Sequence, residues 1–188
     1  MKQGFVKVAS ATPRIRVADP VYNAQVICEQ AKEAAEHGAK IVVFPELCIT
    51  GYTCNDLFLQ ELLLEKAKEA LLTIAEETGQ LETLFLVGLP VDKDGRLYNV
   101  AAVLYRGRIL GMIPKKNIPM YAEFYEGRHF TPGEETVTEY RLGKQVIPFG
   151  SNLLFRCEEL PELILGCELC EDLWVAEPPS TSHALMGA

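Results

Sequence analysis

Long hydrophobic runs and an excess of basic residues are both missing from this 188-residue sequence. No window approaches the roughly 18 to 20 uninterrupted apolar residues of a membrane span, and the first residues lack the apolar core of a signal peptide. Lysine and arginine number 18 against 26 aspartate and glutamate residues, a formal net charge of -8. No basic block is present that could follow a phosphate backbone. The sequence therefore predicts a cytoplasmic protein that binds neither membranes nor nucleic acids.

Metal-binding and phosphate-binding patterns are also scarce. The three histidines show no ligand spacing, and the six cysteines lie in apolar segments of a chain that is long enough to fold without disulfide staples. Cys167 and Cys170 form a C-x-x-C pair, but zinc needs a second ligand pair, and strand periodicity would send these two side chains to opposite faces. No glycine-rich phosphate loop is present. We therefore predict no metal site and no ATP site in this chain.

What is present is the composition of a folded domain. Hydrophobic residues make up 48% of the chain and charged residues 23%. A chain of this length buries about 70% of its unfolded surface, which is enough for one sizeable core. One domain is therefore expected.

The hydrophobic pattern predicts alternating strands and helices. Short apolar runs and period-2 alternation are typical of strands, and apolar stripes at a 3.6-residue period are typical of helices. The predicted strands cover residues 4–10, 41–44, 84–89, 98–105, 108–114 and 163–169, with short pieces between 136 and 155, and the predicted helices cover 24–38, about 55–79 and the residues after 178. The second helix is expected to be capped by Asn55 or Asp56. The strand at 41–44 is expected to be covered on both faces.

Three of these strands end at residues that can carry chemistry. Glu46 follows the strand 41–44, where a poorly solvated carboxylate could be a base, or could simply cap a helix or face solvent. Cys170 follows the strand 163–169 and could be a nucleophile or a packed thiol. Lys115 and Lys116 follow the strand 108–114, and flanking prolines could aim one of them inward as a fixed positive charge. Both lysines could equally be solvated.

Four motifs occur in order along the chain. They are Phe44-Pro45-Glu46-Leu47 with Thr50-Gly51-Tyr52, then Pro114-Lys115-x-x-Ile118-Pro119, then Glu126-x-x-x-Phe130-x-Pro132-Gly133, and finally Cys170-Glu171-Asp172-Leu173-Trp174. Together they resemble the motifs of the nitrilase, or carbon-nitrogen hydrolase, superfamily. Details within 51–58, 121–126 and 170–180 are more similar to the glutaminase domains of glutamine-dependent NAD synthetases than to nitrilases or ureidopropionases. The resemblance covers nearly the whole chain.

The resemblance implies a fold and a reaction. The fold would be α/β, as a four-layer α-β-β-α sandwich. Glu46, Lys115 and Cys170 would form the catalytic triad, with Glu126 as a supporting glutamate and Tyr121 as a contact to the substrate L-glutamine. The triad would hydrolyse the glutamine amide through a γ-glutamyl thioester without a cofactor. The ammonia would pass to a synthetase domain that uses ATP and magnesium to amidate deamido-NAD.

The resemblance also implies a longer protein, because family members carry more residues in this domain and a synthetase domain after it. Residues 1–188 are therefore expected to form an incomplete nitrilase-like domain, with the synthetase domain absent and an uncovered apolar sheet edge. By analogy, a homo-oligomer is expected. Two other interpretations remain open: a free-standing nitrilase-family amidase acting on another small amide, and an inactive fragment or interaction module.

Overall fold

A seven-stranded sheet with two long helices on one face forms the centre of the molecule. A computed structural model describes residues 4–188. The helices are α1 (Pro20–Glu36), α2 (Glu61–Glu77) and α3 (Pro179–Leu185), and the strands are β1 (Val8–Ser10), β2 (Ile41–Val43), β3 (Leu84–Lys93), β4 (Arg96–Tyr105), β5 (Arg108–Pro114), β6 (Thr138–Leu142), β7 (Gln145–Phe149), β8 (Phe155–Arg156) and β9 (Ile164–Leu165). Among the described residues, no helix combines the length and apolarity that crossing a membrane requires.

The strand order of the large sheet brings several loops to one edge. The order is β1-β2-β3-β4-β5-β7-β6, and β8 pairs with β9 in a separate sheet. Strands β2 and β3 are parallel, and β4 is antiparallel to both β3 and β5. The carboxyl ends of β2 and β5 and the amino end of β4 therefore lie at the same edge, where ligand sites collect in α/β folds.

The main core lies between this sheet and the helices α1 and α2. Ile27 of α1 and Leu71 and Ile74 of α2 are fully buried against Val42 and Phe85 of the sheet. Helix α1 begins at Pro20, after Asp19, whose side chain accepts a hydrogen bond from the Tyr22 N–H. A proline in the first turn and an aspartate cap are typical helix starts.

The predicted start of α2 was wrong. A 3₁₀ segment covers Tyr52–Leu59, and Gln60 precedes α2 without a side-chain cap. Asn55 has a φ of 49° and interrupts the segment, so it caps no helix. Asp56 instead forms a bidentate pair with Arg128, at 3.0 and 3.1 Å. The side chain of Asp56 therefore binds a residue that is 72 positions away in the sequence and does not cap α2.

The face of the sheet opposite the helices is covered in part. Phe155 and Leu153, in and just before β8, pack over Gly111 of β5. At the other end of this face, Val8 is 63% and Val43 is 45% exposed. The prediction that the strand 41–44 is covered on both faces therefore holds at Ile41, which is buried on this face, and fails at Val43, which is exposed there.

The last predicted strand also differs from the structure. Residues 163–169 supply only β9, which is two residues long and pairs with the two residues of β8. Cys170 therefore begins a 3₁₀ turn, Cys170–Leu173, and does not end a strand. Helix α3 begins at Pro179, the second residue of the Pro178-Pro179 pair, in agreement with the predicted helix after residue 178.

The predicted α/β fold is confirmed. The described residues supply the helical layer, the first sheet and a two-stranded second sheet of the predicted sandwich. His183 of α3 lies against Gly166 beside β9, and its Nε2 is 3.0 Å from the Ser151 carbonyl oxygen.

Candidate active site

Glu46 lies in the loop that follows β2 and crosses the middle of β3. Gly88 of β3 makes this crossing possible, because a Cβ atom there would lie 2.4 Å from the Leu47 nitrogen and 2.7 Å from the Pro45 carbonyl oxygen. Leu47 is fully buried with a φ of 53°, an unfavourable conformation for a leucine. The loop is held tightly, and it directs the Glu46 carboxylate into the sheet edge.

Lys115 follows β5 directly and turns inward. Its N–H donates to the Asn99 carbonyl of β4 (2.8 Å), and its own carbonyl accepts from the Gly133 N–H (2.8 Å). The side chain is fully buried, with Nζ 2.7 Å from Glu46 Oε1 and 2.8 Å from Glu126 Oε1. Lys116 points the other way and pairs with Glu135 at the surface. Of the two lysines, the structure therefore places Lys115 in the cluster.

The buried cluster contains two carboxylates and one ammonium. Burial disfavours the charged form of Lys115, but Glu46 and Glu126 outweigh this effect, and the pKa of Lys115 is raised above its usual value. Two neutral donors also serve the carboxylates. The Asn99 amide donates to Glu46 Oε1 at 2.6 Å and to Glu126 Oε2 at 3.4 Å, and the Tyr52 hydroxyl donates to Glu126 Oε1 at 2.8 Å.

Cys170 stands at the turn next to this cluster. It is exposed and has a φ of 45°, a left-handed conformation that is strained for a residue with a side chain. Although the residue is exposed, its sulfur is partly buried. This partial burial and the negative charge of Glu46 raise the pKa of the Cys170 thiol, and the Lys115 ammonium opposes them. The thiol is therefore protonated at neutral pH, beside a carboxylate that can take the proton.

Asp172 fixes the turn that carries Cys170. It is buried and accepts hydrogen bonds from the N–H groups of Leu169 (3.1 Å) and Asn117 (2.7 Å) and from the Asn117 side chain (2.9 Å). The Lys116 N–H also donates to it, at 3.2 Å. One carboxylate thereby joins the turn at Cys170 to the segment that follows Lys115.

Tyr121 lies at the surface beside the same turn. Its side chain is 54% exposed, and its hydroxyl donates to Glu171 Oε2 at 2.7 Å, a hydrogen bond that raises the pKa of Tyr121. The five residues predicted from the sequence are thus found around one sheet edge. Lys115 is in direct contact with both Glu46 and Glu126. Among the described residues, no hydrogen bond or ion pair joins Tyr121 to any of these three; its hydroxyl binds Glu171 instead.

Sequence reasoning gave no role to Asn99, Tyr52 or Asp172. Asn99 could have been noticed as a polar residue within the apolar run of β4, since a buried polar side chain needs partners. Tyr52 and Asp172 belong to motifs recognised in the sequence. Their partners lie 74 and 55 residues away, so local pattern could not identify them.

Four of the other five cysteines are poorer candidates for nucleophiles because they are buried or have a raised pKa. Cys28, Cys48 and Cys54 are buried, and burial raises the pKa of the Cys167 thiol to about 12. Within residues 4–188, no group of three or more histidine, cysteine or acidic side chains is placed to hold a metal ion.

Comparison with known proteins gives a consistent family. The family model for carbon-nitrogen hydrolases matches residues 7–188. The chain is 40% identical to the glutamine-dependent NAD(+) synthetase of Mycobacterium tuberculosis over 187 residues. The aligned region covers 100% of this chain and 28% of that enzyme. The corresponding enzyme of Thermotoga maritima is 32% identical over 185 residues, which covers 98% of this chain and 28% of that enzyme. The chain thus spans 28% of the length of these curated relatives.

Solved structures agree with this assignment. The crystal structure of a glutamine-dependent NAD(+) synthetase from Cytophaga hutchinsonii has a TM-score of 0.81 and 29% identity over 88% of this chain and 28% of its own. An amidase from Nesterenkonia shares the fold, with a TM-score of 0.58 and 24% identity over 76% of this chain and 54% of the amidase. With its matching family model, its relatives and its buried acid-lysine cluster, this chain belongs to the carbon-nitrogen hydrolase family.

Proposed function

We propose that this chain hydrolyses the side-chain amide of L-glutamine, with Cys170 as the nucleophile. One observation carries the proposal. An exposed thiol on a strained turn stands beside a buried cluster in which Lys115 binds both Glu46 and Glu126. Amide hydrolysis needs a nucleophile, a base that takes and returns a proton, and a positive charge for the oxyanion. These three residue types supply those roles in turn.

The first half of the reaction forms a thioester. Glu46 takes the proton of the Cys170 thiol as the sulfur bonds to the carboxamide carbon, and the C=O electron pair moves onto oxygen next to the Lys115 charge. The electron pair then reforms the C=O bond and the C–N bond breaks. Glu46 gives its proton to the departing nitrogen, so that ammonia leaves and a γ-glutamyl thioester remains on the sulfur.

The second half releases glutamate. Glu46 takes a proton from a water molecule, whose oxygen bonds to the thioester carbon. The C–S bond breaks, and Glu46 returns the proton to the sulfur, restoring the thiol. The carboxylic acid so formed gives its proton to the released ammonia. The sum is glutamine plus water giving glutamate plus ammonium, with every group of the enzyme returned to its starting state.

Glutamine is the favoured substrate for two reasons. The relatives at 40% and 32% identity are named glutamine-dependent NAD(+) synthetases. Tyr121 and the acidic loop from Glu123 to Glu126 lie on the Cys170 side of the molecule, with Tyr121 bound to Glu171. We assign Tyr121 a contact to glutamine and Glu126 a supporting role through Lys115.

A role in NAD synthesis is part of the same proposal. The hydrolysis uses glutamine, water and side chains of this chain, while ATP and magnesium would serve a synthetase domain that adds the released ammonia to deamido-NAD. A cytoplasmic location and a homo-oligomeric state are further expectations. The synthetase step, the location and the oligomeric state are expectations for a whole protein of the length of the relatives, of which this chain spans 28%.

The proposal is tested with a glutamine analogue that carries a diazo-ketone in place of the amide. Mass spectrometry of the digested chain should find one adduct, on Cys170, and excess glutamine should prevent it. A Cys157→Ala variant is the control and should label like the parent. Labelling on another cysteine, or no labelling of a chain whose Cys170 does react with iodoacetamide, would overturn the glutamine assignment. Protection by another small amide and not by glutamine would favour a different amidase.

A further inference from the structure

Asn99 stands between the two carboxylates of the cluster and contacts both. It is fully buried in β4, and its Nδ2 lies 2.6 Å from Glu46 Oε1 and 3.4 Å from Glu126 Oε2. Its Oδ1 accepts no hydrogen bond from the residues that the structure describes. The polar contacts of this side chain are therefore all donations to carboxylates.

The charge of the cluster explains why a neutral donor is needed. Glu46 and Glu126 bring two negative charges, and Lys115 brings one positive charge. A buried carboxylate that lacks a partner is costly and tends to bind a proton. An amide N–H stabilises the ionised form of Glu46 without neutralising its charge, which leaves the carboxylate able to accept a proton from a substrate or thiol.

The geometry also determines which oxygen of Glu46 can act. Oε1 accepts from both Lys115 (2.7 Å) and Asn99 (2.6 Å), which leaves Oε2 as the oxygen that can meet the Cys170 thiol. The backbone of Asn99 also anchors Lys115, because the Asn99 carbonyl oxygen accepts a hydrogen bond from the Lys115 backbone N–H at 2.8 Å. Asn99 thus orients the base through its side chain and the cation through its backbone.

We infer that Asn99 is a positioning residue, which holds the Glu46 carboxylate turned so that Oε2 exchanges the proton with Cys170. The inference rests on the proposed function for the role of Glu46. Without the Asn99 donor, Oε1 of Glu46 keeps only the hydrogen bond from Lys115, and the carboxylate loses part of its stabilisation. It then takes the thiol proton more readily in the resting enzyme and returns it to the leaving nitrogen more slowly.

Two readouts separate this role from a merely structural one. In Asn99→Leu, kcat for ammonia release from glutamine should fall by about tenfold or more while KM changes by less than about twofold, since Asn99 acts through Glu46. Alkylation of Cys170 by iodoacetamide at neutral pH should become about threefold faster, because more of the thiol has given up its proton. A packing defect would lower both rates.

The matched control is Asn23→Ala. Asn23 is also fully buried, but it lies in α1 and bonds to the backbone of Arg16 and Ile49. This variant should melt at a lower temperature and keep the parent kcat and alkylation rate. Asn99→Thr keeps the side-chain volume and a hydroxyl donor, so it should retain more activity than Asn99→Leu; circular dichroism shows which variants are folded.

The inference is overturned if folded Asn99→Leu keeps the parent kcat, if folded Asn99→Thr is no more active than Asn99→Leu, or if Asn99→Leu slows alkylation and hydrolysis together. Alkylation requires no substrate, so it decides the matter even if the parent chain releases no ammonia. In that case a faster alkylation in Asn99→Leu supports the role of Asn99, and the missing hydrolysis counts against the proposed function alone.

Discussion

At the scale of single residues, a cysteine becomes a nucleophile only where a neighbouring base can accept its proton. For Cys170 that base is Glu46 in the proposed reaction. The Glu46 charge raises the pKa of the thiol, while Lys115 binds Glu46 on the side away from its free oxygen. Resting thiolate is scarce under this arrangement. The thiol is therefore expected to react when a substrate draws the proton to Glu46, and to resist unselective oxidation.

Replacement of Cys170 should abolish activity. We expect Cys170→Ala to release no ammonia from glutamine, because no other described thiol adjoins the cluster in an exposed position. Cys167→Ala is the matched control three residues away, and it should retain turnover, since a thiol with a pKa of about 12 carries no reactive charge at neutral pH. A coupled ammonia assay measures both. Residual hydrolysis by folded Cys170→Ala would disprove the assignment.

The two adjacent lysines should differ sharply. Lys115→Ala removes the cation from the buried Glu126 and the partly buried Glu46. Turnover should therefore fall by about 10²-fold or more, and the free energy of unfolding should drop by about 3 kcal/mol. Lys116→Ala removes only a surface ion pair with Glu135, and its unfolding free energy should change by less than about 0.5 kcal/mol. Urea titration and the ammonia assay, run side by side, measure both effects. Equal losses in the two variants would contradict the observed orientation.

The pH dependence of thiol reactivity tests the electrostatics. Because partial burial of the sulfur and then the charge of Glu46 raise the pKa of Cys170, alkylation by iodoacetamide should increase with pH well into the alkaline range. Glu46→Gln removes that negative charge and leaves Lys115, so the alkylation midpoint should move to lower pH, by about one unit. Glutamine hydrolysis should be lost in the same variant. Glu123→Gln, an exposed carboxylate nearby, is the control; an unmoved midpoint in Glu46→Gln would mean that the two groups are not coupled.

At the scale of elements, the site depends on where strands end and how closely loops cross them. Glu46 and Lys115 follow β2 and β5, whose carboxyl ends meet at one edge, and Asn99 comes from the amino end of the intervening β4. The loop after β2 reaches the cluster by passing over β3 at Gly88. A substitution in β3, which supplies no proposed catalytic residue, should therefore lower the rate of glutamine hydrolysis.

Gly88→Ala tests this dependence. The new Cβ would lie 2.4 Å from the Leu47 nitrogen and 2.9 Å from the Glu46 carbonyl carbon, so the loop must shift. We expect a loss of about 2 kcal/mol in unfolding free energy, the scale of overpacking, together with a fall in kcat that thermal stability alone does not explain. Gly95→Ala is the control: it lies in the β3–β4 turn with open space around it and a φ of 74°, so it should cost about 1 kcal/mol of backbone strain with no change in kcat. Parent-like kcat in Gly88→Ala would show that the loop adapts.

The elements also show how far sequence could predict this structure. The strand 108–114 and the turns around β4 were predicted closely, because local alternation and turn residues define them. The strand 163–169 was overestimated, since apolar runs do not reveal that β8 offers only two partners or that Asp172 binds the Leu169 N–H. The inward turn of Lys115 needed the resemblance. The donors Asn99 and Tyr52 needed the three-dimensional structure, because each meets its carboxylate across a long stretch of chain.

At the scale of the whole molecule, the two faces of the large sheet are unequal. The face toward α1 and α2 is closed by a continuous core, whereas the opposite face is covered near β5 and open near β1 and β2. The parallel register pairs Val8 with Ile41 and Ser10 with Val43, so Val8 and Val43 lie on this open side. Exposed apolar residues at a sheet edge invite pairing with another chain.

Self-association through this open side is the expected behaviour of the 188-residue chain, and it fits the predicted homo-oligomer. Light scattering across a concentration series should show a mass above that of the monomer, because Val8 and Val43, at 63% and 45% exposure, are otherwise left in water. Val43→Lys should shift the series toward monomer at little cost to folding, since that side chain already reaches solvent. Val21→Lys, at 58% exposure on α1, is the matched control and should leave the association unchanged because it lies on the helical side. A parent chain that stays monomeric throughout, or equal effects of the two lysine variants, would show that the open side of the sheet is not where copies meet.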